Sequence, residues 1–186
     1  MLDIQQFSVR LASPLETARG TIDARDGFLL RIEADELTGI GEATPLVGWT
    51  ESYDECREAL RHAERVADEL DWGIALGKLE APAARHGLSL ALAEGRATAQ
   101  DCPLYQSLGA TDTVESVPVN ATLGADEPTA LAKRARKAVE NGYPAVKIKV
   151  GTNGVEEDIE RIRAVRNAVG DDVELRADAN GAWTYE

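Results

Sequence analysis

Between residues 117 and 178 the chain repeats one pattern: a short apolar run, a longer stretch with helical spacing, then another apolar run. Residues 117–123, 145–150 and 173–178 read as strands, because branched and apolar side chains crowd into short segments bounded by turn residues. Leu131, Ala135, Ala138 and Val139 mark one intervening helix, residues 126–140, with Asp126 as its cap. Val155, Ile159, Ile162, Val165 and Val169 mark the apolar side of the other, which Gly170 closes. Such alternation dictates parallel strands joined by right-handed crossovers. Catalytic and binding groups of such sheets collect at the carboxyl ends of the strands.

The preceding residues follow a different rule. Residues 4–11, 27–34 and 37–42 predict antiparallel strands, with Asp35-Glu36 as the turn between the last two. The polar stretch 12–26 contains Pro14 and Gly20 and predicts a long loop of the kind that serves as a lid. Ser52 and Glu55 predict a capping box, followed by Tyr53, Cys56, Leu60, Ala63, Ala67 and Leu70 at helical spacing. Further helices are expected over residues 82–94 and 103–109. Residues 1–110 thus read as an α+β domain and residues 111–186 as βα units. A closed eight-stranded β/α barrel takes roughly 250 residues, so three strands are expected to be the front part of a larger protein. A short free-standing three-stranded sheet is the other reading, and it would leave sheet edges and apolar faces uncovered.

Lysine is scarce, with five in 186 residues, yet Lys147 and Lys149 stand one residue apart in the middle strand of the second part. Alternation puts both on one face and Val146, Ile148 and Val150 on the other. Two neighbouring ammonium groups repel, so such a face needs an anion to hold or a proton to move. In the next strand Glu174, Arg176 and Asp178 share a face against Val173, Leu175 and Ala177, and Asn180 follows in the loop. A carboxylate at the strand end can bind a hard cation such as Mg²⁺. Adjacent strands would bring it beside the lysines. A lysine whose charge is opposed by a second ammonium and a metal ion can act as a base, and the metal can stabilise the enolate that results. From spacing alone, lysines satisfied by surface carboxylates at a sheet edge remain an equal reading, as does Asp178 as a helix cap or loop ion-pair partner.

The rest of the composition narrows the field. A net charge of −13 argues against a broad nucleic-acid surface, which would need a basic stripe. It suits a solvated acidic surface in a salt-rich cytoplasm. No apolar stretch approaches the ~20 residues of a membrane span, and the first residues lack a signal-peptide pattern, so the protein is expected to be cytoplasmic. Cys56 and Cys102 match no metal or redox spacing and are expected as reduced, packed thiols. His62 and His86 stand alone and are expected at the surface or in packing.

With these residues in view the chain resembles the enolase superfamily, in its muconate-lactonizing subgroup, over essentially its whole length. The resemblance rests on Gly41-Glu42-Ala43-Thr44-Pro45, Ala84-Arg85-His86-Gly87-Leu88-Ser89-Leu90-Ala91, Pro103-Leu104-Tyr105-Gln106-Ser107-Leu108-Gly109, Lys147-Ile148-Lys149-Val150-Gly151 and Arg176-Ala177-Asp178-Ala179-Asn180-Gly181-Ala182-Trp183, in that order. It implies an α+β capping domain followed by the first units of a TIM-type β/α barrel, with Mg²⁺ at the barrel mouth. It implies Lys149 as the base that takes an α-proton, Lys147 as its tuning partner and carboxylate neutraliser, and Asp178 as the first metal ligand. Arg19, Gly20, Trp49 and Asn180 would border the substrate. The family's further ligands, two acids on the fourth and fifth strands and a lysine on the sixth, fall outside these strands, so this chain alone is expected to be inactive. Pro45-Leu46-Val47-Gly48-Trp49-Thr50-Glu51-Ser52 looks most like the o-succinylbenzoate synthase branch, which dehydrates a cyclohexadiene carboxylate in menaquinone synthesis. Dipeptide epimerases and muconate cycloisomerases share the paired lysines and remain alternatives, as does a non-catalytic cap module. The expected partners are a small-molecule carboxylate and, at most, further copies of the same chain in a homo-oligomer, with no nucleic acid and no membrane.

Overall fold

Two three-stranded sheets carry the chain in the computed structural model, which describes residues 1–17, 20–34, 37–124 and 126–184. One compact unit comprises Met1–Leu15 and Thr21–Thr113, and the second is built chiefly from Val114–Glu186.

In the first unit β1 (Leu2–Thr17), β2 (Gly20–Ala34) and β3 (Leu37–Ala43) lie in sequence order, and β2 pairs antiparallel with β3. Every second residue of β2 points inward, so Phe28, Leu30 and Ile32 are fully buried. They pack with Cys56, Leu60 and Ala63 of α1 (Tyr53–Glu69), Ala75 of α2 (Trp72–Lys78), and Ala84, Leu88, Ala91 and Leu92 of α3 (Pro82–Ala99). A short α4 (Leu104–Ser107) follows. The expected capping box forms: Glu55 N–H donates to Ser52 Oγ at 3.3 Å, and Ser52 N–H donates to the Glu55 carboxylate at 2.8 Å. The Glu51 carboxylate accepts from the N–H groups of Ala83 and Ala84 at 3.0 and 2.8 Å, capping α3 from outside that helix.

Strand β3 and helix α3 meet backbone to backbone. A Cβ added at Gly39 would collide with the Ala91 carbonyl and the Gly95 amide, and one at Gly41 with the Gly87 carbonyl. From the helix side, a Cβ on Gly87 would meet Ala43 at 2.8 Å and one on Gly95 would meet Leu37 at 2.8 Å.

In this unit one expected loop is replaced by strand, and one helix is new. The stretch 12–26 is not an open loop, since β1 runs to Thr17 and β2 begins at Gly20. As β1 is an edge strand, it tolerates Pro14 and has no second partner to demand an apolar alternation. Helix α2 was not foreseen, because its seven residues contain Gly73 and Gly77; Asp71 caps it by accepting from Ile74 N–H at 2.8 Å. The expected turn at Asp35-Glu36 lies outside the described residues.

The second unit alternates β4 (Asn120–Leu123), α5 (Pro128–Glu140), β5 (Ala145–Lys149), α6 (Val155–Val169) and β6 (Glu174–Asp178). All three strands are parallel, in the order β4-β5-β6. Val146, Ile148 and Val150 are 0–2% exposed and pack with Leu131 and Ala135 of α5 and Val165 of α6. Asp126 does not cap α5: Glu127 holds the cap position without a side-chain bond, Pro128 opens the helix, and Asp126 pairs with Arg134 instead. The inward face of α6 also differs from expectation. Val155 and Ile159 are exposed, while Asp158 and Arg161 are buried beside Val165. At about 3.6 residues per turn, Asp158 falls on the same arc as Val165 and Val169, and Val155 and Ile159 fall at its margin. Among the described residues no helix is long and apolar enough to cross a membrane.

Candidate active site

Lys149 and Asp178 are the last residues of β5 and β6, and the parallel register sets them side by side, with Lys147 opposite Arg176 one step earlier. The apolar back of β5 is sealed by α5 and α6, so alternation forces both lysines onto the front. Lys147 Nζ lies 2.9 Å from Asp178 Oδ2, with the two side chains 33% and 22% exposed. Asp178 Oδ1 accepts from the Asn180 backbone N–H at 3.2 Å. With the Asn180 amide oriented to satisfy both neighbours, its nitrogen donates to Asp178 Oδ1 at 3.2 Å and its oxygen accepts from Lys149 Nζ at 3.1 Å. Asn180 stands in the left-handed region, φ 48°, which asparagine tolerates better than most residues.

The hydrogen bond from Lys147 holds the Asp178 carboxyl below the usual carboxylate range; partial burial opposes this, and the charges of Lys147 and Lys149 reinforce it. Beneath this cluster Arg176 takes Glu174, with Nε–Oε1 2.9 Å and Nη2–Oε2 3.3 Å, and donates to Asn120 Oδ1 at 3.2 Å. Glu174 is thereby committed to Arg176, and Asp178 is the carboxylate left to the lysines. Among the described residues Lys149 makes no ion pair, and its partner is a neutral amide oxygen.

Of the residues singled out from sequence, the structure gathers Lys147, Lys149, Asp178 and Asn180. Gly20 opens β2 at φ 127°, and Trp49 sits half-exposed in the first unit, in a turn where its N–H bonds Leu46 O at 2.9 Å. Arg19 lies outside the described residues. Cys56 and Cys102 are free thiols and both histidines are exposed. Sequence reasoning passed over Asp158 and Arg161; the available signal was two charges in helical phase with Val165.

A divalent cation finds one carboxylate here. Both Asp178 oxygens already have protein partners, and among the described residues no three acidic, histidine or cysteine side chains cluster to hold a metal ion. These residues by themselves do not fit Mg²⁺, and no chemical step is derived through it.

Residues 2–95 match the family model described as MenC, N-terminal domain, and residues 130–186 the one described as Enolase C-terminal domain-like. The hydrophobic dipeptide epimerase of Enterococcus faecalis is 35% identical over 97% of this chain and 53% of its own length. The L-Ala-D/L-Glu epimerase of Bacillus subtilis is 31% identical over 98% of this chain and 52% of its own. The chain thus spans about half the length of the curated relatives it matches. The crystal structure of the Enterococcus faecalis V583 dipeptide epimerase, complexed with Mg and L-Leu-L-Tyr, superposes with a TM-score of 0.86 at 34% identity, covering 98% of this chain and 54% of that one.

Proposed function

The chain belongs to the enolase superfamily, and on that footing we propose that Lys149 removes a proton from the carbon next to a substrate carboxylate. The observation that carries this reading is the register pairing Lys149 with Asp178, which sets two lysines and one carboxylate at the same end of the sheet.

The residues divide the labour by their partners. Lys147 is neutralised by Asp178 and can meet a second carboxylate, that of the substrate. Lys149 donates to the Asn180 amide oxygen and is assigned the proton transfer. The substrate C–H bond breaks, its proton passes to Lys149 Nζ, and the electron pair spreads into the carboxylate as an enolate. If a hydroxyl leaves from the neighbouring carbon, the proton held by Lys149 balances the hydroxide and water departs. Mg²⁺ is proposed as the cofactor of the whole protein, in which Asp178 would supply one ligand oxygen and the ion would supply positive charge. Arg19, Gly20, Trp49 and Asn180 are proposed to border the substrate.

The leading assignment is dehydration of the o-succinylbenzoate synthase type, supported by the MenC-type match over residues 2–95. Epimerisation of a dipeptide is the second reading, favoured by the similarity to dipeptide epimerases over nearly the whole chain. Two assays with Mg²⁺ in D₂O separate them. Formation of an aromatic product from a cyclohexadiene carboxylate supports the first, and α-deuteration with inversion of a dipeptide supports the second. In the complete protein Lys149→Ala is expected to lower α-proton exchange by roughly 10³-fold or more while leaving the circular dichroism spectrum unchanged. Turnover near the unsubstituted rate would remove Lys149 from the role of base.

A further inference from the structure

We infer that Asp158 is a positioning residue for Lys149: buried in α6, it anchors Gly151, two residues beyond the lysine, and so fixes the strand end that carries the base. This deepens the proton-transfer reading above and rests on it.

Asp158 and Arg161 are 4% and 2% exposed. Asp158 Oδ1 pairs with Arg161 Nη2, while Asp158 Oδ2 accepts from Gly151 N–H at 2.7 Å. Among the described residues Arg161 Nε and Nη1 have no hydrogen-bond partner. A buried ion pair with two unsatisfied N–H groups is a poor device for stability, since an apolar pair of similar volume generally does as well or better. The bond to Gly151 is what such an apolar pair could not supply.

That bond acts on a segment with little slack. Val150 N–H donates to the Asp178 carbonyl at 3.1 Å, tying the residue after Lys149 to β6. Gly151 follows at φ 80°, and a Cβ placed there would lie 2.8 Å from Ala182 Cβ and 3.2 Å from Trp183 Nε1. Lys149 is therefore followed by one residue held on β6 and one held by α6, against the segment that also carries Asn180. Arg161 neutralises the buried carboxylate that does the second holding.

The test separates holding from mere stability. Asp158→Leu with Arg161→Leu removes the acceptor and the charges while keeping an apolar filling. Its expected result is faster amide hydrogen exchange at Val150 and Gly151, by about tenfold or more, and, in the complete protein, a kcat for α-proton exchange lower by about 10–100-fold at nearly unchanged KM. Asp158→Asn with Arg161→Leu restores an oxygen for Gly151 without a charge and is expected to recover both. The inference is overturned if the leucine pair keeps unsubstituted kcat and amide protection, or if the folded asparagine variant fails to recover them. In the unsubstituted protein the Val150 and Gly151 amides are expected to exchange as slowly as those of β5, and fast exchange there overturns the inference even if no variant folds. Slow amides together with absent α-proton exchange in the unsubstituted complete protein would instead overturn it through its premise, the assignment of Lys149 as base.

Discussion

Asp178 shows how one side chain links site and stability. Its carboxyl is held below the usual range by the bond from Lys147. A depressed folded value contributes stability that is present above the unfolded carboxylate value, about 3.9, and is lost as pH falls through the folded one. Acid titration of the second unit should therefore weaken it across that window, and Asp178→Asn should flatten the dependence; parallel acid-unfolding curves for the two proteins would refute this. Cys56 makes the complementary case in the first unit. Burial, followed by the charge of Glu51 and its hydrogen bond, pushes its thiol up to about 12, and the residue is fully buried. A thiol reagent near pH 8 should modify Cys102 alone in the folded protein and both cysteines in denaturant. Early loss of two thiols would show that α1 does not shield Cys56 as described.

At the scale of elements, local signals succeeded where side chains report directly on backbone needs. The Ser52 and Glu55 pair marked the start of α1, and Ser52→Ala should cost about 0.5–2 kcal/mol, read from denaturant midpoints at constant slope. The alternation in residues 145–149 located both the buried back of β5 and its lysine front. It failed where the outcome depends on tertiary surroundings. Pro14 and the polar residues near it suggested a loop, yet an edge strand needs neither a full ladder nor a buried face. The short α2 with its two glycines carries almost no periodic signal, and its Asp71 cap was the only local cue. On α6 hydrophobicity pointed to Val155 and Ile159, whereas the helix buries an ion pair, because a carboxylate that serves a loop amide must lie on the inner side. Of the candidate site, the residues of β5 and β6 were legible from alternation and strand order. The contributions of Asp158 and Arg161 were legible only as two charges in helical phase with Val165, a signal that branched residues at the margin of the same arc outweighed.

The whole molecule combines two hydrophobic clusters, one for each unit, with an acidic composition. With 33 acidic residues against 20 lysines and arginines, self-repulsion opposes compaction, and salt should relieve it. The melting temperature is expected to rise from about 0.1 M KCl and to level off near about 1 M, where the Debye length has fallen to about 3 Å; a flat profile would mean the acids are already balanced locally. The second unit assembles the cluster of lysines and carboxylate from adjacent strand ends. The close seating of β3 on α3 has its own evolutionary consequence. Residues 39 and 41 on one side, and 87 and 95 on the other, leave no room for even a methyl group, so a change at any of them demands a simultaneous retreat by the opposite chain. In a saturation library scored for expression, those four columns should come back nearly empty, and Gly41 and Gly87, each inside a motif that suggested the family, should be among them.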